Sequence, residues 1–440
     1  MKIMKKIFIS VLLVFVASGT SSLVTASGTD LRKTYTWKYD IDKDAKVALD
    51  NYDCNVIIHT WDKGETEFRL TINASSGREE DLNILNEYLQ DLSFMNTSSS
   101  VIFHNRFWKS RNGGNNRIRM ELKGGEDITL TDFDMRGELW IPSRCRLELD
   151  SKYSEISLDA FSGTLALDLY NDNLYGSDVN GNIDLVDKYS TIEFKDIKDL
   201  HANIYSTKLT AENAGKLDID SKYSKVTMLS SADIEVNGYS DKYNIRKTGN
   251  IIFVSKYTDL TTESSGLADI NSYEGTFSLD EVMDVKIISK YADFQFERAG
   301  NCTINSSYSD KITAGSLTSL DIDHSKYCTF SVNVLLRSLT EADGYSDKFI
   351  IMEAGPELQE FRINGKYLNA SLSIPETVEY RFRANITYPK LEINESAFKP
   401  KVKVFEGSKL EYDAVKGKER EGMPLIEANG YQVTLKITEI

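Results

Sequence analysis

One position in this chain alternates between two side chains that could do recognition chemistry. Lys152, Tyr170, Lys188, Tyr205, Lys222, Tyr239, Lys256, Tyr273, Lys290, Tyr308, Lys326 and Tyr345 follow one another at intervals of 17 to 19 residues. An ammonium donates hydrogen bonds and can sit over a ring; a phenol offers a flat apolar face and a hydroxyl. In one column they would form an exposed ladder for a polysaccharide or a partner strand, or would simply hold the repeats together. A second candidate is the basic, aromatic loop carrying Arg106, Trp108, Lys109, Arg111, Arg117 and Arg119. It reads either as a mobile hairpin or as a site for an anionic glycan or partner.

Catalytic constellations are missing from the sequence. His59, His104, His201 and His324 lie far apart, and there is no G-x-S-x-G, H-E-x-x-H or C-x-x-C. Asp40, Asp42 and Asp44, like Asp178, Asn180 and Asn182, have the spacing of calcium loops. Both sets lack the glycine at the sixth and the glutamate at the twelfth position, so they read as ordinary turns. Asp150, Asp168, Asp184, Asp218, Asp220 and Glu235 read as a solvated outer face partnering the lysines. No catalytic, metal or cofactor residue is assigned, and the chain is not expected to be an enzyme.

The elements that position the ladder follow from the repeat. Between 188 and 290 the interval is 17 residues every time, and Lys366 continues the series after a longer gap. Four residues past each reference position stands a large apolar residue (Ile156, Leu174, Ile192, Leu209 and so on), until Ala370 breaks the rule. Within a repeat the period is two: Leu217, Ile219 and Ser221 face one way, Asp218, Asp220 and Lys222 the other. A strand, a polar corner, a second strand and a turn in so few residues cannot bury an apolar face alone, but stacked copies can. The expected fold is all-β: a parallel β-solenoid of about thirteen 17-residue rungs over residues 147–374. An antiparallel sandwich is the alternative, though it would not need so strict a period. A 17-residue turn interleaves each lysine with two tyrosines, whereas a 34-residue turn stacks lysine on lysine. Repulsion favours the shorter turn, but a duplicated 34-residue unit remains open.

Residues 1–26 read as a secretory signal, with Lys2, Lys5 and Lys6 before an apolar run and Val24-Thr25-Ala26 at the cleavage site. Its removal would take the net charge from −15 to −18, which argues against nucleic acid and anionic membranes. The mature chain is expected to have no membrane span and to be exported to the periplasm, cell surface or medium. Residues 27–146 are expected to form a β-rich N-terminal capping region with a helix at 78–92, where Leu82, Leu85, Tyr88, Leu89 and Leu92 share a face. Residues 375–440 are expected to form a C-terminal β cap. Cys302 and Cys328 are expected to stay unpaired; the pairing of Cys54 and Cys145 is left open.

The stretch Leu49–Asp62, the helix opening at Arg78-Glu79-Glu80-Asp81, and Glu138–Leu158 leading into the repeats resemble the bacterial putative-adhesin families of β-helical envelope domains. The resemblance implies a secreted or surface β-helix and carries no functional residues across. The expected function is a non-enzymatic binding, adhesion or scaffold protein of the envelope, with a glycan or an envelope protein as partner. The alternatives are a periplasmic component of an envelope sensing or stress system and a carbohydrate-active β-helix enzyme.

Overall fold

The computed structural model describes residues 30–114 and 117–440; the expected signal segment lies outside them. The described residues divide into two compact units, one of residues 30–33, 72–90 and 108–133 (without 115 and 116), the other of residues 34–71, 91–107 and 134–440.

The larger unit holds the parallel β-solenoid of about thirteen turns. Each rung has two short strands, such as Leu217–Lys222 and Lys225–Ser231. Leu217, Ile219 and Ser221 are buried while Asp218, Asp220 and Lys222 face solvent, because successive side chains of a strand point to opposite faces. Strand register settles the turn length. Tyr205 lies opposite Lys222, Lys222 opposite Tyr239, and Tyr239 opposite Lys256. One turn is therefore 17 residues, and the alternation is a two-rung chemical pattern on a one-rung coil. The apolar residues past the corner stack inside, with Phe277 on Phe294 and Phe330 on Phe349 at 4.9 Å between ring centroids.

Parallel pairing runs beyond the expected 147–374, and at both ends it leaves sequence order. Lys46–Tyr52 pairs with Arg146–Lys152 on one edge and Ser100–His104 on the other. Asn55–Trp61 likewise pairs with residues 136–142 and 156–158. At the other end Glu360–Lys366 pairs with Leu425–Tyr431, whose second edge takes Tyr380–Thr387. The last rung of the chain is thus inserted between two earlier ones. Tyr380–Thr387 continues into an antiparallel set with Lys409–Lys416 and Phe398–Glu406.

In the smaller unit the helix spans Glu79–Asp91, with Leu82, Leu85 and Leu89 buried. Arg78 pairs with Asp81 of its acidic first turn at 2.7 Å. Trp108–Gly114, Arg117–Leu122 and Asp127–Leu130 form a separate antiparallel sheet. Cys54, Cys145, Cys302 and Cys328 are all buried with free thiols.

Candidate functional site

The ladder is built on a corner with one unusual backbone angle. Every non-glycine residue of positive φ among the described residues sits one place after a reference position or its equivalent at the ends, from Asp53 to Gln432, with φ between 51° and 68°. Eight of them are tyrosines, among them Tyr153, Tyr189, Tyr223, Tyr257 and Tyr291. This left-handed conformation costs a side chain roughly 1–2 kcal/mol, and glycine is its usual tenant. What offsets the cost is the neighbouring ring. Tyr223 meets Tyr205 at 5.5 Å and Tyr239 at 5.6 Å, both edge to face. The same contact repeats without a gap from Tyr52 through Tyr153, Tyr170 and onward to Tyr345, Tyr367, Tyr431 and Tyr388. Such pairs contribute about 0.5–1.5 kcal/mol each beyond burial.

Beneath the rings runs a buried polar seam that the sequence reading missed. Asp241 Oδ1 accepts the Ser224 backbone N–H at 2.7 Å, and Oδ2 accepts the Tyr239 N–H at 2.7 Å and the Ser221 hydroxyl at 2.8 Å. Asp172, Asp310 and Asp347 do the same on their own rungs. The signal was present as Tyr-Asn-Asp or Tyr-Ser-Asp at 170, 239, 308 and 345. On the rung of Tyr205 that place holds Thr207, and the carboxylate comes instead from Asp187 of the preceding rung, which accepts the Thr207 hydroxyl and the Ser190 N–H. Burial raises the carboxyls of Asp187, Asp241 and Asp310, and pushes Asp172 up to about 6. Burial also raises Glu341 and Asp347, which share the Ser325 hydroxyl, and the Asp347 charge raises Glu341 further. These carboxyls face inward and are engaged in holding the corner.

The outer face is open. Corner tyrosines such as Tyr223 are about half exposed (50%) and reference tyrosines such as Tyr239 less so (37%), so ring surface stays available. A groove of about 980 Å³ runs along this face, bounded by Lys188, Lys222, Lys256 and Lys290 and by Tyr205, Tyr239 and Tyr273. Asn203, Asn237 and Asn271 line its other side, and Asp220 is its single carboxylate. No acidic side chain of the described residues pairs with the four lysines. Past the corner several cations do pair between neighbouring rungs: Lys195 with Asp178 at 3.2 Å, Lys208 with Glu193 at 3.0 Å, Arg246 with Glu263 at 2.7 Å.

Three expectations need correcting. Lysine repulsion does not explain the alternation, because Lys208, Lys225 and Lys242 stand on three consecutive rungs in register. The ring chain explains it: each corner tyrosine needs a reference tyrosine on the rungs above and below. Nor does each ladder ammonium lie over a ring; among the described residues that of Lys326 does, 5.0 Å from Tyr327 and 4.8 Å from Tyr345. The expected basic loop is a hairpin, not one displayed patch. Trp108 is buried there, Lys109 pairs with Glu121 at 3.1 Å, and Arg111 lies over Trp108 at 5.4 Å. Arg117 and Arg119 are exposed on the neighbouring strand. Arg106 belongs to the solenoid unit, 5.0 Å over Tyr52. The histidines serve local contacts, as with His59 at 3.1 Å from Asp159 and His201 at 3.2 Å from Asp218. Among the described residues no cluster of histidine, cysteine or acidic side chains could hold a metal, and no helix is long and apolar enough to cross a membrane.

No protein-family model and no curated protein matches this chain. Among solved structures it is similar to a putative cell adhesion protein from Clostridium sporogenes, at 9% identity over 93% of this chain and 100% of the other, with a TM-score of 0.18. A likeness at that level bears on neither the fold nor the function of this chain.

Proposed function

We propose that this protein is a non-enzymatic binding or scaffold protein of the bacterial envelope, exported by its N-terminal segment and engaging its partner through the ladder face of the solenoid. The observation that carries the reading is the open groove, where lysines without acidic partners among the described residues alternate with partly exposed rings over several consecutive rungs. A catalytic site needs an acid, base or nucleophile aimed at a substrate. The carboxyls of Asp172, Asp241 and Asp310, raised by burial, are instead committed to backbone amides inside the corner. Export is supported by the three lysines, apolar run and small-residue site at the start of the sequence.

The test is a glycan array and an envelope pull-down with the purified protein, read beside a variant carrying Lys222→Gln, Tyr239→Ser and Lys256→Gln. Retention of a partner by the native protein and its loss by the variant support the reading. A partner whose capture ignores the three substitutions would refute it, as would consumption of a bound glycan during the assay. Fractionation of cells making the full chain, with the mature N-terminus read by mass spectrometry, tests export separately.

A further inference from the structure

We propose that the ladder groove binds a linear acidic polysaccharide carrying one anionic group per disaccharide. The inference rests on the reading of the ladder face as a binding face and adds the chemical class of its ligand.

Its basis is the two-rung repeat of the face. Rungs of a parallel solenoid are spaced like paired strands, so ladder lysines recur every second rung at roughly 10 Å. That interval is close to the length of a disaccharide in an extended chain. Between successive ammoniums the groove presents a reference tyrosine and an asparagine: Tyr205 with Asn203, Tyr239 with Asn237, Tyr273 with Asn271. Each two-rung unit therefore offers one fixed charge for an acid, one carboxamide for hydroxyl or acetamido groups, and ring surface for the apolar face of a sugar. From Lys188 to Ser306 the groove crosses eight rungs, roughly 34 Å at the spacing of paired strands.

Charge argues for the same class. Four lysines and one aspartate line the groove of a protein whose net charge is −15. A neutral glycan would gain nothing from four ammoniums without acidic partners. Nucleic acid is disfavoured because its phosphates come several times more densely than these lysines, and the acidic remainder of the surface would repel it. A polyuronate with an acid on every sugar would leave every second charge facing tyrosine.

The experiment measures binding of the purified full-length protein to hyaluronan, which has one carboxylate per disaccharide, at low and high salt. Polygalacturonate, a neutral β-1,4-glucan and single-stranded DNA serve as competitors. One variant carries Lys188→Gln, Lys222→Gln, Lys256→Gln and Lys290→Gln. A second carries Lys195→Gln, Lys208→Gln, Lys225→Gln and Lys242→Gln, the same loss of charge beyond the corner. Salt-sensitive hyaluronan binding, weakened about tenfold or more by the first variant and little by the second, is expected. Equal weakening by both variants would overturn the inference, as would preference for polygalacturonate or DNA. Binding of the neutral glucan, lost on Tyr239→Ser but indifferent to the lysines, would overturn the charge argument while leaving the ladder as the binding face. Failure of every polysaccharide to bind would also overturn it, and the envelope pull-down then decides the broader reading independently.

Discussion

The displaced carboxylate at Asp187 gives the sharpest expectation. On most rungs with a reference tyrosine the acid stands two residues after the ring; beside Tyr205 it has moved to the preceding rung, and threonine fills its place. Asp187→Ser removes the acceptor of the Thr207 hydroxyl and the Ser190 N–H. Thr207 can turn to the Tyr205 carbonyl, already 3.4 Å away. The lasting loss is then one buried N–H, partly offset by relief of a buried carboxylate, for about 1–2 kcal/mol. Thr207→Asp alone brings a second carboxyl onto the first. Both cannot ionise at that distance, so one stays protonated at neutral pH at a cost of about 3 kcal/mol, shrinking toward pH 5. The double variant rebuilds the arrangement of Asp241, with the carboxylate at 207 accepting from Ser190, Tyr205 and the hydroxyl placed at 187. Asp187 Oδ1 now has no hydrogen-bond partner, so the rebuilt corner should lie within about 1 kcal/mol of the native protein or exceed it. The two single penalties should therefore cancel, with a coupling of about 3–5 kcal/mol. Chemical denaturation of all four proteins at pH 7 and pH 5 measures this. Exchange of the Ser190 amide serves as the local readout, since a long repeat array can depart from two-state unfolding. Penalties that simply add, with coupling under about 0.5 kcal/mol, would refute the account of the seam.

Three further outcomes are expected. Tyr239→Lys removes two edge-to-face contacts and should destabilise the protein by about 1–3 kcal/mol with little salt dependence, while Tyr239→Phe stays near native; a penalty that vanished in high salt would restore the repulsion argument. The raised carboxyls bind protons more tightly in the folded than in the unfolded chain, so stability should rise as pH falls. For Asp172 that window runs from about 6 down to its ordinary 3.8, and a thermal midpoint lower at pH 5 than at pH 7.5 would contradict it. Truncation after Pro424 strips the parallel partner from Glu360–Lys366 and from Tyr380–Thr387 and should yield an aggregating chain by size-exclusion chromatography; a monomer with an unchanged melting temperature would show that the inserted rung is dispensable.

The 17-residue spacing made the solenoid legible, because a coil of fixed circumference writes its period directly into the sequence. The helix at Glu79–Asp91 was legible for a similar local reason, its leucines recurring on one face behind an acidic turn. The corner was not. Positive φ is read from glycine and asparagine, and here tyrosine holds it at eight places, so the conformation hid behind a residue that seldom adopts it. The buried acids were not legible because a carboxylate beside a polar corner reads as an outward-facing position, although Asp241 stands only two residues from Tyr239 and is buried. Threading at the ends was beyond local reasoning, since Tyr52 and Lys152 pair across a hundred positions.

The ring chain nonetheless constrains that threading. In sequence order Lys366-Tyr367 would be followed by Thr387-Tyr388, two rungs with the ring on the left-handed residue and none at the reference position. Two such rungs in succession would break the edge-to-face series. The inserted rung is of the opposite kind, with Tyr431 at the reference position and Gln432 at the corner. It meets Tyr367 at 5.7 Å and Tyr388 at 5.4 Å, and the alternation continues through a break in chain order. A repeat protein made of identical rungs would gain nearly the same energy after slipping by one. Here skipping one rung sets corner ring against corner ring at the step where it is skipped and breaks the edge-to-face series there. Alternation therefore makes neighbouring rungs distinguishable and disfavours a slip by one rung. On this argument the tyrosines hold register first, and the regular lysine spacing that a ligand could read is a consequence of the register they enforce.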